Sequence, residues 1–476
     1  MSGQITRREV LKRGLAGAVG LTVLPAVIAA CNSSPSPSPT ATPVATPTPA
    51  ATPTPVPATP TPASTPADFL ARKLNGTLTV ASNHTDAAEV AGMAAIDAAF
   101  TALTGVTPTV NNADHNVFAD QINFYIGPDA NDVFTWFSGF RMRFLAEKGQ
   151  VSPIDDVWAA VSANYTAAFA RAVTGNDGHV YGIPVDYYPW CVFYRKSVWA
   201  AKGYTVPETW IEFLALCAHM EKDGLTPLAF GDQGGWPAMG WFDILNLRLN
   251  GYDFHVALLT GQAKWTDARV TAVFEAWRKL IPFYPADFVR LTWQKECDTL
   301  VSKKAGMFFV GLFLTGEIST VDKTGATLAD IDFFAFPYFG NEFDAEKALD
   351  APVDIWMMTP TSPTLPADLD NARAYLEFWA KGSTQVLMYK NQPGLIPTAS
   401  DADPSSFDAL TKRAVSIVGQ AQRITQFMDR DTRPDFAGTN GAEAFLSSFL
   451  NHPSQDLSRF QQSIQDFWDK LPAYGG

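Results

Sequence analysis

Short apolar segments alternate with longer amphipathic ones from about residue 75 onward. Three segments with β-branched or closely spaced apolar residues predict strands, at residues 77–81, 106–110 and 132–136. Two segments with apolar residues at helical spacing lie between them, at residues 90–103 and 118–126. Strands that alternate with helices in this way form a parallel sheet with right-handed crossovers.

The rest of the chain has more helical periodicity. Pro207-Glu208-Thr209-Trp210 predicts the start of a helix that Thr209 caps and that continues to Gly224. Further amphipathic helices are predicted at residues 268–280, 369–380 and 457–471. No repeat of twenty to fifty residues is visible, which argues against an adhesive surface protein built from repeats.

Residues 1–30 have the pattern of an export signal. Arg7, Arg8, Lys12 and Arg13 precede an apolar segment of small residues that ends at Cys31. A small-residue segment that ends at a cysteine is typical of bacterial lipoproteins, in which the thiol carries the lipid after cleavage. The Arg7-Arg8 pair also resembles a twin-arginine signal. We therefore expect an extracytoplasmic protein, anchored by lipid at Cys31 to the outer face of the cell membrane.

Residues 31–68 predict a tether between this anchor and the globular part. Residues 33–66 contain 12 of the 34 prolines and no charged residue. Proline has no backbone N–H and a fixed φ, so repeated Thr-Pro units favour an extended polyproline II conformation. Such tethers occur in surface lipoproteins and in secreted polysaccharide-degrading enzymes, so an enzyme remains an alternative.

Composition narrows the classes of function. The net charge is −13, from 48 acidic and 35 basic residues, which argues against a nucleic-acid-binding protein. Four cysteines exclude a disulfide-dense miniprotein, and six histidines without HExxH spacing argue against a histidine metal site. After lipidation, the cysteines Cys191, Cys217 and Cys297 permit at most one disulfide. Buried free thiols are the alternative.

Three segments resemble the extracellular solute-binding proteins of sugar transporters, the maltose-binding-protein class. The first is DVFTWFSGFRMRFLAEKGQVSPIDD, residues 132–156. The second is YGIPVDYYPWCVFYRKSVWAAKGYTVPETWIEFLALC, residues 181–217. The third is KKAGMFFVGLFLTGEI, residues 303–318, in which Ala305 and Gly306 reverse the family's usual order. The segment from Ala351 to Pro397 is also similar to the family.

The resemblance implies an α/β, two-lobe periplasmic-binding-protein-like (type II) fold, in which two discontinuous α/β domains are joined by a hinge. Lobe one is expected at residues 75–184 and 355–400, and lobe two at residues 185–354 and 401–476. The chain would cross between the lobes at Val185-Asp186 and at Asp354-Ile355. A ligand that bridges both lobes would stabilise a closed form, which docks on the permease of an ABC transporter.

A neutral sugar needs flat aromatic rings for its CH face and carboxylates, amides or arginine for its hydroxyls. Ligands of open parallel sheets bind beyond the carboxyl ends of the strands, which gives one group of candidates. Matches to the family's cleft positions give others, and residues 231–237, which have no apolar periodicity, are expected to form a loop that presents Gln233 and Trp236. For Phe313 the alternative is packing in the core, and for Arg430 it is a surface ion pair. The predicted ligand-binding residues are Asn83, His84, Asp114, Trp136, Asp186, Tyr187, Gln233, Trp236, Phe313, Trp356 and Arg430.

We expect no catalytic residue, no cofactor and no metal, and a monomer that binds a carbohydrate without altering it. One alternative is a secreted glycoside hydrolase or lyase, which needs two carboxylates flanking the scissile bond. Adjacent Asp155 and Asp156 cannot supply that arrangement, since neighbouring side chains point apart. The other alternative is the same fold with a different solute, such as an amine held by cation–π contacts.

Overall fold

Two β-sheets, of six and four strands, organise the described part of the chain, and a small third sheet has two strands. The structure, a computed structural model, describes residues 68–127, 131–360 and 369–472. The predicted signal, Cys31 and nearly all of the predicted tether lie outside these residues, so the export signal, the lipid anchor and the tether remain predictions.

The strands are short and mostly buried, as expected for sheets covered by helices. They are β1 Leu78–Ser82, β2 Pro108–Asn112, β3 Val133–Phe137, β4 Ile183–Tyr187, β5 Trp190–Arg195, β6 Thr226–Ala229, β7 Ala305–Gly311, β8 Ile331–Phe334, β9 Leu349–Asp350, β10 Val353–Met358, β11 Ile396–Pro397 and β12 Ile424–Thr425.

The helices before Pro352 are α1 Ala87–Thr104, α2 His115–Asp120, α3 Ile122–Tyr125, α4 Phe140–Glu147, α5 Asp155–Val161, α6 Ala167–Ala172, α7 Lys196–Lys202, α8 Trp210–Lys222, α9 Trp236–Leu259, α10 Ala268–Arg278, α11 Trp293–Val301, α12 Leu314–Val321 and α13 Ala326–Asp330. Those after it are α14 Leu369–Trp379, α15 Gly382–Asn391, α16 Ala409–Gln420, α17 Met428–Asp431, α18 Pro434–Ala437, α19 Ala442–Asn451 and α20 Leu457–Trp468.

The first sheet has six strands in the order β11-β4-β10-β3-β1-β2. Strand β1 pairs in parallel with β2 and with β3, so that Val80 lies opposite both Val110 and Val133. Helix α1 connects β1 to β2 and ends at Gly105, whose φ of 80° suits a glycine. The predicted parallel βαβ arrangement is therefore confirmed, with β2 two residues later than expected.

The second sheet has four strands in the order β6-β7-β5-β8. The chain passes from the first sheet to the second between β4 and β5, and it returns to the first sheet as β10. Strand β10 pairs antiparallel with both β3 and β4, at the centre of the first sheet. The predicted crossing positions thus lie within β4 and β10, while the exact lobe boundaries remain a prediction.

The hydrophobic core continues from one sheet to the other. Phe193 and Phe308 of the second sheet belong to the same buried cluster as Val80 and Ile355 of the first. A second cluster fills the other side of the second sheet and contains Trp241 and Phe274.

Cys191, Cys217 and Cys297 are all buried and unpaired, so the structure has the free thiols and not the disulfide that the sequence also allowed.

Several local predictions can be compared with the helices. Thr209 caps α8 through a capping box with Glu212, as its position predicted. The helix predicted at residues 118–126 is instead two short helices, α2 and α3, which meet at Gln121. Trp236, expected on a loop, is the first residue of α9. Proline at position 237 is compatible with a first helical turn, because the N–H that it lacks would have no partner there.

Helix α15 begins where two backbone segments approach closely. A Cβ atom added to Gly382 would lie 2.2 Å from the backbone nitrogen of Ala402. The backbone N–H of Gly382 donates to Asp401 Oδ1 at 3.0 Å. By contrast, a Cβ at Gly419 near the end of α16 meets nothing within 4 Å.

We expect Gly382→Ala and Gly419→Ala to change stability in opposite directions. The first substitution forces the backbone of residues 401–402 to move and should lower the free energy of unfolding by about 1–3 kcal/mol. The second replaces glycine by a better helix former in open space and should raise it by about 0.5–1 kcal/mol. Urea unfolding followed by circular dichroism measures both. A Gly382→Ala variant as stable as the native protein would contradict the close approach.

Candidate functional site

One cavity of about 370 Å³ lies at the carboxyl ends of strands β1 and β2, where ligands of open parallel sheets bind. Its lining comes from distant parts of the chain, including the segments after β1 and β2, the start of α9, the start of α11 and residues near α17. A volume of this order lies at the small end of the range for small-molecule sites, about 300–1,000 Å³.

The segments that follow β1 and β2 supply one wall, and all its side chains are polar. They are Asn83, His84, Thr85, Asp86, Glu89, Asp114, His115 and Asn116. Thr135 fixes Asn83: it donates to Asn83 Oδ1 at 2.8 Å and accepts from the Asn83 backbone N–H at 3.1 Å. Asp114 caps α2 by accepting from the backbone N–H groups of Asn116 and Val117. This wall presents hydrogen-bonding groups whose positions are already set.

The later part of the chain supplies every phenylalanine, tyrosine and tryptophan that lines the cavity. They are Tyr188, Trp190, Trp236, Trp293, Phe313 and Phe427. Trp236 lies at right angles to Trp190, with ring centroids 5.9 Å apart, and Phe313 is nearly perpendicular to Trp293 at 5.1 Å. Edge-to-face contacts of this kind stabilise one another and hold the ring planes in place.

Glycines beside these rings permit the packing. A Cβ atom at Gly240 would lie 2.5 Å from the ring of Trp190, and one at Gly311 would lie 2.3 Å from the ring of Phe313. The start of helix α11 positions Trp293, since Thr292 caps that helix by accepting from the Lys295 backbone N–H at 3.1 Å. The aromatic wall therefore depends on small residues and a helix cap close to it.

Arg430 joins the two parts of the site. Its Nη1 donates to Asp354 Oδ1 at 2.6 Å and its Nη2 donates to the hydroxyl of Tyr188 at 2.6 Å. Its guanidinium lies 4.3 Å from the ring centroid of Phe137, at the end of β3. The residue is buried, with 4% exposure, and so it is not the surface ion pair that its sequence context also allowed. Burial opposes its charge, but Asp354 and Tyr188 outweigh burial and raise the pKa of Arg430.

A pair of carboxyl groups lies side by side in the first sheet. Asp186 on β4 is directly opposite Asp354 on β10, and such neighbours have Cβ atoms about 4.5–5.5 Å apart. Burial and the charge of Asp354 raise the pKa of Asp186 well above its usual range. Asp354 has Arg430 as a cationic partner, whereas Asp186 has no ion-pair partner among the described residues, so Asp186 binds a proton more readily than an exposed aspartate.

His84 lies among three carboxyl groups at the polar wall. Its Nδ1 is 3.6 Å from Glu89 Oε2. Burial favours the neutral ring, but Glu89, Asp186 and Asp354 together outweigh burial and raise the pKa of His84. Burial and nearby Glu89 raise the pKa of Asp86 to about 6. At neutral pH the polar wall therefore carries negative charge around a histidine that holds its proton more strongly than usual.

Two hydrogen bonds connect the polar wall to the aromatic wall. Asn116 Nδ2 donates to the carbonyl oxygen of Gly234 at 2.9 Å, and Gln294 Nε2 donates to Asp86 Oδ1 at 3.4 Å. Gly234 and Gln294 lie beside Trp236 and Trp293 in the sequence. The walls thus touch each other directly at these two places along the cavity.

The structure brings most of the predicted ligand-binding residues together. Seven of the eleven line the cavity: Asn83, His84, Asp114, Gln233, Trp236, Phe313 and Arg430. Phe313, for which core packing was the alternative, is partly buried and contacts both Trp236 and Trp293.

Four predicted residues do not line the cavity. Trp136 is buried and packs on Phe137 with ring centroids 4.9 Å apart. Trp356 is buried against Tyr375 and Trp379. Both tryptophans lie inside strands, where helices cover the sheet, instead of beyond the strand ends. The ring of Tyr187 lies against Phe169, and Asp186 is buried beside Asp354.

The sequence reasoning missed several residues that line the cavity, above all Tyr188, Trp190, Trp293 and Phe427. Tyr188 lies one residue and Trp190 three residues after Tyr187, the second of the predicted pair Asp186 and Tyr187. The prediction therefore named the right segment but the wrong residues within it. Trp293 follows Thr292, a recognisable helix-cap residue, and a search for aromatic residues next to caps would have found it. Among the described residues, no three His, Cys, Asp or Glu side chains are grouped to hold a metal ion.

Known proteins that are similar in sequence or structure include several solute-binding proteins. The solute receptor AcbH, whose structures revealed an exclusive preference for β-D-galactopyranose, is 36% identical, with a TM-score of 0.78 over 83% of this chain and 99% of AcbH. A probable sugar-binding periplasmic protein of Rhizobium meliloti is 25% identical over 60% of this chain and 66% of the relative. An extracellular-binding protein of an ABC transporter from Pyrococcus horikoshii is 22% identical over 61% of this chain and 63% of the relative.

The family model for bacterial extracellular solute-binding proteins matches residues 81–417, which include the four-stranded sheet and all of the six-stranded sheet except the start of β1. This match agrees with the fold, with the place of the cavity and with the similarity to AcbH along nearly the whole length of that receptor. The chain belongs to the bacterial extracellular solute-binding protein family.

Proposed function

We propose that this protein is the substrate-binding component of an ABC transporter and that it captures a neutral monosaccharide, with galactopyranose as the first candidate. The observation that carries the proposal is the division of the cavity into a polar wall and an aromatic wall. A pyranose has the same division, since its hydroxyls donate and accept while its CH face is apolar. The similarity to AcbH and the cavity of about 370 Å³ support a single sugar unit.

The proposed mechanism is closure of two lobes around the sugar. The lobes are those expected at residues 75–184 with 355–400 and at residues 185–354 with 401–476. The aromatic wall would hold the CH face, and the polar wall would close over the hydroxyls and form the bonds from Asn116 to Gly234 and from Gln294 to Asp86. A sugar that contacts both walls favours the closed form by its differential affinity, and that form would dock on the permease.

The ligand is expected to leave the protein unchanged, because the related proteins are binding receptors. A glycoside hydrolase is the competing function. Chromatography of a galactoside after long incubation with excess protein separates the two functions, because a hydrolase would cleave its glycosidic bond and release free galactose.

An organic ammonium ion is the second candidate ligand. Carboxylates face a set of aromatic rings in the cavity, an arrangement that also suits a cation through cation–π contacts. A thermal-shift panel of neutral sugars and of choline-like amines distinguishes the two, since a ligand at a hundred times its dissociation constant adds about 2.7 kcal/mol of stability.

Trp236→Ala is expected to weaken binding of the stabilising sugar by tenfold or more, about 1.4 kcal/mol, while the protein remains folded. The substitution removes a ring that lines the cavity and leaves the buried part of α9 in place. Isothermal titration calorimetry measures the affinity. Trp158→Ala is the matched control, because Trp158 packs on Tyr165 with a centroid distance of 5.1 Å and does not line the cavity. Equal losses in both variants would contradict the assignment.

Galacturonate is expected to bind at least about tenfold more weakly than its neutral amide at pH 7.5, because like charges across a desolvated site cost several kcal/mol. Of the described lining residues, Arg430 is the single lysine or arginine, and Asp354 already pairs with it. The Asp86→Asn, Glu89→Gln double variant should narrow the difference. Competition with bound galactose provides the measurement, and preference for the acid would exclude a neutral-sugar site.

We also propose that Cys31 carries a lipid after signal cleavage, so that a monomeric protein is anchored by its tether. Cys31→Ser should move the protein from the detergent phase to the aqueous phase in Triton X-114 partitioning of cells, because the acyl chains supply the membrane affinity. Ser33→Ala is the control and should stay in the detergent phase. A Cys31→Ser protein that remains there would require another anchor.

A further inference from the structure

Phe427 has a backbone conformation that suits glycine. Its φ is 96° and its ψ is 144°. Two other described residues besides glycines have positive φ, Lys303 at 63° and Lys347 at 46°, and these values lie near the left-handed helical region. The conformation of Phe427 is close to a region that side chains with a Cβ rarely enter, so the surrounding structure must enforce it.

Hydrogen bonds on both sides of Phe427 enforce this conformation. Before it, the Gln426 backbone N–H donates to Asp431 Oδ2 at 2.8 Å. After it, the Met428 backbone N–H donates to Asp243 Oδ2 at 2.6 Å, and Asp243 is fully buried. The carbonyl oxygen of Phe427 accepts from the backbone N–H groups of Arg430 and Asp431, both at 2.9 Å. The backbone N–H groups of Gln426 and Met428 and the carbonyl oxygen of Phe427 are therefore all held.

The side chain of Gln426 ties the same turn to the first sheet. Its Oε1 accepts from Ser138 Oγ at 2.8 Å and from the Val353 backbone N–H at 2.9 Å. Val353 precedes Asp354, the partner of Arg430. The turn is thus bound to the end of β3, to the start of β10 and, through Asp243, to helix α9.

This turn directs two side chains into the ligand cavity. The ring of Phe427 stacks on Trp190 with centroids 5.0 Å apart and planes 25° apart. Arg430, in the following helical turn, contacts Asp354 and Tyr188. Both Phe427 and Arg430 line the cavity. A glycine would adopt the same backbone without strain, but it would leave Trp190 without its stacking partner.

We propose that Phe427 is a positioning residue of the ligand site: its strained backbone places its ring under Trp190 and sets the plane of the aromatic wall. The ligand part of this inference rests on the proposed sugar-binding function. A strained backbone conformation persists only when the surrounding structure holds it, and such residues cluster at functional sites. Here the strain at Phe427 keeps an ordered aromatic ring in the cavity.

Comparison of Phe427→Gly with Phe427→Ala tests the strain. Both variants lose the ring, and only alanine keeps a Cβ at positive φ. In an ordinary position alanine is the more stabilising of the two, because glycine gains more entropy on unfolding. Here we expect the reverse order, with an unfolding equilibrium constant about tenfold smaller for the glycine variant in urea titrations. An alanine variant at least as stable as the glycine variant would overturn the proposed strain.

Titration with galactose tests the role of the ring. Phe427→Gly should bind about tenfold more weakly than the native protein, because Trp190 loses its stacking partner. Phe427→Leu keeps a large apolar side chain without a flat face and should also bind more weakly, with a change in tryptophan emission that reports the environment of Trp190. If the leucine variant bound galactose with the native affinity, Phe427 would act only in core packing, and the proposal would be overturned.

Failure of this inference and failure of the proposed function give different results. If no sugar stabilises the native protein, the sugar-binding function is wrong and the ligand role of Phe427 falls with it. If the native protein binds galactose and Phe427→Gly binds it equally well, the function stands and the positioning role is wrong. Phe124→Ala, at a site 75% exposed, is the control for loss of a ring elsewhere on the surface.

Discussion

The ion pair between buried Arg430 and partly buried Asp354 is the contact on which the architecture of the site depends. Asp354 lies on β10 at the centre of the first sheet, and Arg430 belongs to the short helix that follows Phe427. Breaking such a pair leaves an uncompensated buried charge and typically costs about 3–5 kcal/mol. Asp186 lies opposite Asp354, and its burial beside that charge raises its pKa, so the pair also influences a neighbouring titratable group. Arg430 therefore balances the charge of Asp354 and at the same time holds α17 against the first sheet.

The cavity divides its chemistry between segments that are distant in the sequence. The polar wall follows the parallel strands β1 and β2, where strand ends present loops with capped turns. The aromatic wall gathers around Trp190, whose close packing needs the absence of a side chain at Gly240. Rings that already contact one another edge to face lose little conformational entropy when a ligand binds. The stacking of the ligand on them is therefore offset less by the cost of ordering side chains. A site of this kind favours a rigid, amphipathic ligand such as a pyranose.

The strained turn at Phe427 shows how this site is supported from behind. Asp243 and Asp431 hold the flanking backbone N–H groups, and Gln426 connects the turn to Ser138 and Val353. Precise placement of ligand-contacting groups needs neighbours whose own positions are determined by packing and hydrogen bonds. The buried carboxyl group of Asp243 has that supporting role, although it does not line the cavity.

Local pattern was enough to predict the elements that depend on nearby residues. Strand β1, helix α1 and the helix cap at Thr209 follow from periodicity and cap chemistry, which act within a few residues. The polar residues after β1 and β2 were predictable for the same reason, because strand ends mark where open sheets bind ligands. The fate of each tryptophan was not. Trp136 and Trp356 lie in the core while Trp190 and Trp293 line the cavity, and all four are equally apolar in the sequence. Trp356 is covered by Tyr375 and Trp379 of α14, whereas Trp190 stacks on Phe427, far along the chain. Neither arrangement follows from the local pattern, because it depends on how separate elements pack, and only the tertiary structure decided it.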